Sequence, residues 1–101
     1  MTIITSQHFV SEEIVAEKIA NGDFEVFVSP AFEVDGEVYQ VLLDGHHSLA
    51  AAVEAGRDPI IIERNEAEDD RVALIDNPED FLAACWMDGE YVNAITKAAI
   101  W

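Results

Sequence analysis

The sequence predicts a single α+β domain in which a mixed sheet packs against short helices, and three observations carry that prediction. The chain has 101 residues, half of them hydrophobic, which is enough for one core and too few for two ordinary domains. Asp35-Gly36 joins two apolar runs, Phe32-Glu33-Val34 and Glu37 to Leu43, and such a pair between strand-like segments is the strongest short-range signal of a hairpin. Between Val38 and Arg64, an apolar strand, a glycine turn, an alanine-rich helix and a second apolar strand then follow one another. The domain runs over 1–101, with a helical C-terminal portion over 77–101.

Taken in order, residues 1–8 contain Thr2-Ile3-Ile4-Thr5, suited to a short edge strand or an extended arm. Ser11 can cap a helix over Glu12–Ala20, where Ile14, Val15, Lys18 and Ile19 recur near helical spacing. Glu12 and Glu13 favour its positive end, and Asn21-Gly22 offers a left-handed stop. Phe24 to Val28 is rich in aromatic and branched residues and should be a strand that ends at Ser29-Pro30, because proline cannot donate to a ladder.

After the Asp-Gly hairpin, the loss of alternation at Val41-Leu42-Leu43 suggests an interior strand covered on both faces. Asp44-Gly45-His46-His47 marks a turn, and Ser48 to Ala55 a compact helix closed by Gly56. Ile60-Ile61-Ile62 follows Asp58-Pro59 and again predicts burial on both sides, with parallel pairing through a right-handed crossover.

The run from Glu63 to Asp70 reads as a solvated turn, and Val72 to Ile75 as a short strand or a helical turn. Asn77-Pro78 resembles a helix entrance, after which Phe81, Leu82, Cys85 and Trp86 share one face as far as Asp88-Gly89. A last helix is expected over Glu90–Trp101, with Val92, Ile95, Thr96 and Ala99 as its stripe.

Composition excludes several classes of function. Twenty-one acidic residues against five basic ones leave a formal charge of -16, well beyond the about 2 to 8 units usual for a small domain. A polyanion gains nothing by releasing counterions around nucleic acid and is repelled by anionic membranes, so neither direct nucleic-acid binding nor membrane binding is expected. A basic protein surface would be attracted. The lone Cys85 allows no intrachain disulfide and no thiolate cluster, and it reads as a small apolar filler. No apolar run is long enough to span a bilayer, and MTIITSQHF lacks the basic start of a signal peptide, which predicts a soluble, cytoplasmic protein.

Chemistry, if present, belongs to Asp44-Gly45-His46-His47-Ser48. Gly45 permits a tight bend, the helix that follows offers free backbone N–H groups to an anion, and Ser48 can cap that helix or donate to a phosphate. Asp44, His46 and His47 are the candidate acid-base or metal-assisting groups. Adjacent histidines cannot share one helix face, so a two-histidine zinc pair and a metal site are not expected.

The segment VYQVLLDGHHSLAAAVEAGRDPIIIE resembles the central part of the partition-protein B and sulfiredoxin superfamily, with Gly45, the small-residue helix at Ala50-Ala51-Ala52, Gly56 and the strand from Pro59 as its recognisable parts. The resemblance implies that superfamily's small α+β fold. In partition proteins the motif is Gly-Glu-Arg-Arg, whose arginines help bind nucleotide phosphates; here those positions are Gly45, His46, His47 and Ser48, so both arginines are absent. In sulfiredoxins the motif is Gly-Cys-His-Arg, with a reducing cysteine; His46 stands at the cysteine, His47 matches and Ser48 replaces the arginine.

Some nucleases and amino-acid kinases are also similar to this superfamily. Arginine gives phosphate a rigid set of donors that histidine and serine do not replace, so a bound nucleotide would need Arg57, Arg64 or a divalent ion to supply charge.

Three expectations follow. The first is a non-enzymatic, acidic interaction protein without a cofactor, in its most concrete form a nucleic-acid mimic encoded by a phage or mobile element that inhibits a basic nucleic-acid-binding protein. The second is a small nucleotide-dependent enzyme, a kinase or hydrolase, that holds a nucleotide with Mg2+ at Gly45, His46, His47, Ser48 and Arg57, with Asp44, His46 or His47 assisting. The third is an assembly domain that forms a homodimer through Trp86 and Trp101.

Overall fold

A computed structural model describes residues 1–100. The elements are β1 (Thr2–Thr5), α1 (Glu12–Asn21), β2 (Glu25–Val28), β3 (Phe32–Val34), β4 (Glu37–Asp44), α2 (His46–Ala55), β5 (Ile60–Glu63), a 3-10 turn (Asp70–Leu74), α3 (Pro78–Cys85) and β6 (Val92–Asn93). The fold is α+β. Six strands form one mixed sheet in the order β5-β2-β4-β1-β6, with β3 attached to β4 as its hairpin partner.

The local signals explain most of these boundaries. Asp35 at φ 51 and Gly36 at φ 84 place both central turn residues in the left-handed region, which matches the twist of the two strands they join. The Ser11 hydroxyl accepts the Ile14 N–H, and the Asn77 side chain accepts the Asp80 N–H with Pro78 in the first turn behind it. Each bond satisfies one of the donors that a helix start leaves free.

β4 organises the core because its alternate residues serve opposite layers. Val41 and Leu43 join Ile4, Phe32, Val72, Phe81, Cys85 and Tyr91 in one cluster, which the 3-10 turn and α3 cover. Leu42 joins Val26, Val28, Leu49 and Ala94 on the other face, under α2. There Val15 and Phe24 meet Ala51 and Ala52, both fully buried, and the methyl side chains let α1 and α2 approach closely. The interior strand expected at Val41-Leu42-Leu43 is therefore found.

Five expectations are corrected. β1 is neither an edge strand nor an arm, because it lies between β4, which it pairs in parallel, and β6, which it pairs antiparallel. β5 is not buried on both sides: it pairs only with β2, and Ile60 and Ile61 are 56 % and 50 % exposed. Its parallel partner is β2 rather than β4, and because β2 runs antiparallel to β4, β4 and β5 are antiparallel to each other and no parallel crossover joins them; β5 lies at the rim.

Trp86 leaves the buried face of Phe81 and Cys85, since α3 ends at Cys85 and Trp86 turns outward, 56 % exposed. Most of the helix expected over Glu90–Trp101 is a tight β-turn structure instead, with Trp101 outside the described residues. The Asn93 side chain accepts the N–H groups of Ile95 and Thr96, and Val92 bridges Ala99. Asparagine competes with a helix by making such local bonds, and the branched Val92, Ile95 and Thr96 add little helix propensity against it.

Candidate functional site

β4 ends at Asp44, whose Oδ1 accepts the Gly45 N–H at 2.7 Å. Gly45 is required here on two counts. Its φ of 91 is left-handed, and a Cβ would stand 2.8 Å from the Glu25 carbonyl oxygen and 2.9 Å from Val26 Cα. α2 starts directly after it, so His46 and His47 lie inside the first helical turn rather than in the loop, and Gly45, not Ser48, is the cap residue. No side chain caps the helix, which leaves its first N–H groups and the positive end of its dipole facing outward. They open on a shallow cavity of about 370 Å³ that Gln7, Ile14 and Lys18 complete.

Both imidazoles are already engaged. His46 Nε2 lies 2.9 Å from Thr5 Oγ1, and that hydroxyl also accepts the Gln7 N–H at 3.1 Å. Burial pushes the His46 pKa down to about 4, outweighing the opposite pull of Asp44, so the ring is neutral at pH 7. His47 Nε2 accepts the Ser11 N–H at 3.1 Å, which places the His47 proton on Nδ1. The two histidines therefore fasten the connection between β1 and α1 onto the start of α2.

Ser48 also lines the cavity. It is buried, and its hydroxyl donates to Asp23 Oδ1 at 3.3 Å. Asp23 also takes the Lys18 ammonium at 2.8 Å, a hydrogen bond that lowers the carboxyl pKa and raises that of the lysine. Arg57 follows Gly56 at the far end of α2, about 15 Å along a ten-residue helix, with its guanidinium 5.6 Å from the Phe24 ring. Arg64 reaches Asp44 at 3.7 Å and lies 3.9 Å over the Phe27 ring.

The structure thus brings together Asp44, Gly45, His46, His47 and Ser48 and leaves Arg57 apart. Thr5, Gln7 and Lys18, which local spacing could not reveal, arrive from other elements through tertiary contact. A phosphate placed here would meet backbone donors, while Lys18 and Arg64, the neighbouring cations, are committed to Asp23 and Asp44. Among the described residues, no group of three His, Cys, Asp or Glu side chains could hold a metal ion. Cys85 is buried 3 % exposed in the core, where burial pushes its thiol up to about 11.

The acidic residues define a second feature of the surface. Every Asp and Glu except Asp23 and Asp69 is exposed, and those two hold Lys18 and Arg71. Arg71 is drawn inward, donating to the Leu43 carbonyl at 3.0 Å as well as to Asp69. Carboxylates consequently dominate the surface, and no described helix is long and apolar enough to cross a membrane. Compared with models of protein families, with curated proteins and with solved structures, the chain matches none.

Proposed function

We propose that the protein acts through its surface charge, as a non-enzymatic cytoplasmic interaction protein that occupies the basic, nucleic-acid-binding surface of a partner and inhibits it. The observation that carries this reading is the division of charge: the carboxylates stand exposed, while Lys18, Arg64 and Arg71 are each held by a carboxylate of the same chain. Spaced carboxylates on a folded body can take the place of backbone phosphates in a basic groove, with fast association that salt weakens. A phage or mobile element is the source such an inhibitor would fit.

The test is binding to a panel of basic DNA- and RNA-binding proteins between about 50 and about 500 mM salt, with nucleic acid as competitor. Affinity should fall steeply with salt and nucleic acid should displace the protein. Absent or salt-insensitive binding across the panel would refute the proposal.

A second reading, a small nucleotide-dependent kinase or hydrolase of the partition-protein and sulfiredoxin type, rests on the uncapped N–H groups that follow Gly45. Calorimetric titration with ATP and Mg2+ separates it from the first. Heat of binding with protection of the amides from Gly45 to Ser48 supports the enzyme, and its absence removes it.

A further inference from the structure

A separate cavity of about 220 Å³ runs along α2, between that helix and the turn that follows β6. Its walls are apolar, built from Leu49, Ala50 and Val53 of α2 and Ile95 of the turn. Val53 and Ile95 are 53 % and 50 % exposed, so the lip is lined by large apolar side chains that the fold leaves without cover. Of the polar lining groups, Thr5, Gln7, His46 and Lys97 stand at one end. Seven residues separate His46 from Val53, which at helical rise makes the cavity about 10 Å long.

Lys97 is the unusual member of this set. Its backbone is left-handed, φ 67, a conformation normally left to glycine or asparagine. The bond from Lys97 N–H to the Asn93 carbonyl at 2.9 Å holds it there. The ammonium donates to the Ala94 carbonyl at 3.0 Å and keeps further N–H donors for another partner. Unlike Lys18, Arg64 and Arg71, it holds no carboxylate among the described residues. It stands close enough to His46 to oppose protonation of that ring, which places a positive charge at the polar end. Glu54 lies about two turns further along α2 and lines the same cavity, so the far end is negative.

We propose that this cavity binds a small monocarboxylate with an apolar body, its carboxylate against the Lys97 ammonium and its body along Leu49, Ala50 and Val53. A cavity of about 150 Å³ holds a benzene ring, so this one accepts a chain or ring of about eight to ten heavy atoms. Glu54 repels a second carboxylate, which excludes diacids. The negative field of the chain opposes anions in general, so apolar burial supplies much of the affinity, about fourfold per methylene. This site does not depend on the acidic surface acting on a partner.

The experiment is a titration of the full chain with octanoate, octanamide and acetate, followed by backbone amide chemical shifts. Octanoate should saturate, moving the amides of Ala50, Val53, Ile95 and Lys97, and octanamide should bind the same place about three- to tenfold more weakly. Acetate should produce no shifts there. Lys97→Met should erase the preference for octanoate over octanamide, and Ile95→Trp should close the lip to both. Octanoate that fails to saturate, saturates elsewhere, or binds the unaltered chain no better than octanamide would overturn the proposal, and so would a Lys97→Met chain that still distinguishes the two.

Discussion

Replacing His46 by glutamine should remove a specific pH dependence of stability. The ring titrates near 6.5 in the unfolded chain and is pushed down to about 4 in the folded one by burial. A depressed pKa means that the unfolded state takes up the proton first. The stability contributed by the neutral ring is therefore complete above pH 6.5 and is lost as pH falls towards 4. Full withdrawal from water would make that loss about 3 kcal/mol; because the ring is only half-buried, about 2 kcal/mol is the reasonable figure.

Glutamine can still hydrogen-bond the Thr5 hydroxyl but takes up no proton. Urea denaturation of both chains between about pH 7.5 and about pH 4.5 isolates the effect, because the carboxylates titrate alike in both. The difference in unfolding free energy between the unaltered chain and His46→Gln should shrink by roughly 2 kcal/mol over that range. Parallel curves would refute the assignment of His46 as a neutral, partly dehydrated ring.

The other predictions follow from the same geometry. Gly45→Ala should cost about 3 kcal/mol or more, since a left-handed L-residue is combined with backbone collisions, whereas Gly22→Ala, left-handed at φ 63 with nothing within 4 Å, should cost only about 1 kcal/mol. Thermal melts distinguish them, and equal losses would show that the approach of β2 to Gly45 is unimportant. The Cys85 thiol should resist a thiol reagent at pH 8 in the folded protein and react fully in denaturant, because it is buried and poorly ionised; rapid reaction of the native chain would contradict that placement. Added NaCl should raise the melting temperature, as screening relieves repulsion among carboxylates that outnumber their cations. A melting temperature that falls with salt would mean that the ion pairs outweigh the repulsion.

Where the sequence was legible, a local chemical cause was present. Ser11 with Gly22, Asp35-Gly36 and Asn77-Pro78 each act within a few residues, and each element they bound lies where they place it. The loss of alternation at Val41-Leu42-Leu43 was readable because a strand with a layer on each face needs apolar residues on both. The same pattern misled at Ile60-Ile61-Ile62: branched residues report strand preference, while burial depends on where the strand lies in the sheet, and β5 pairs only with β2 and forms the rim.

The C-terminal segment misled for a different reason. Its apolar spacing suits a helix, but Asn93 captures two backbone N–H groups and turns the chain back. At the site, Asp44 to Ser48 were contiguous and easily found, yet their tasks were not. That His46 bonds Thr5 and His47 bonds Ser11 follows from how the β1–α1 connection lies across α2, which no spacing encodes.

The unpaired side of β5 has a consequence for handling the molecule. Two copies that met there could extend the sheet across the junction, with Ile60 and Ile61 sealing it. At neutral pH each copy carries its large negative charge to that meeting, and mutual repulsion opposes it. Near the isoelectric point of about 4.1 that protection vanishes, so acidified solutions should cloud through strand-to-strand stacking before the individual domains have unfolded.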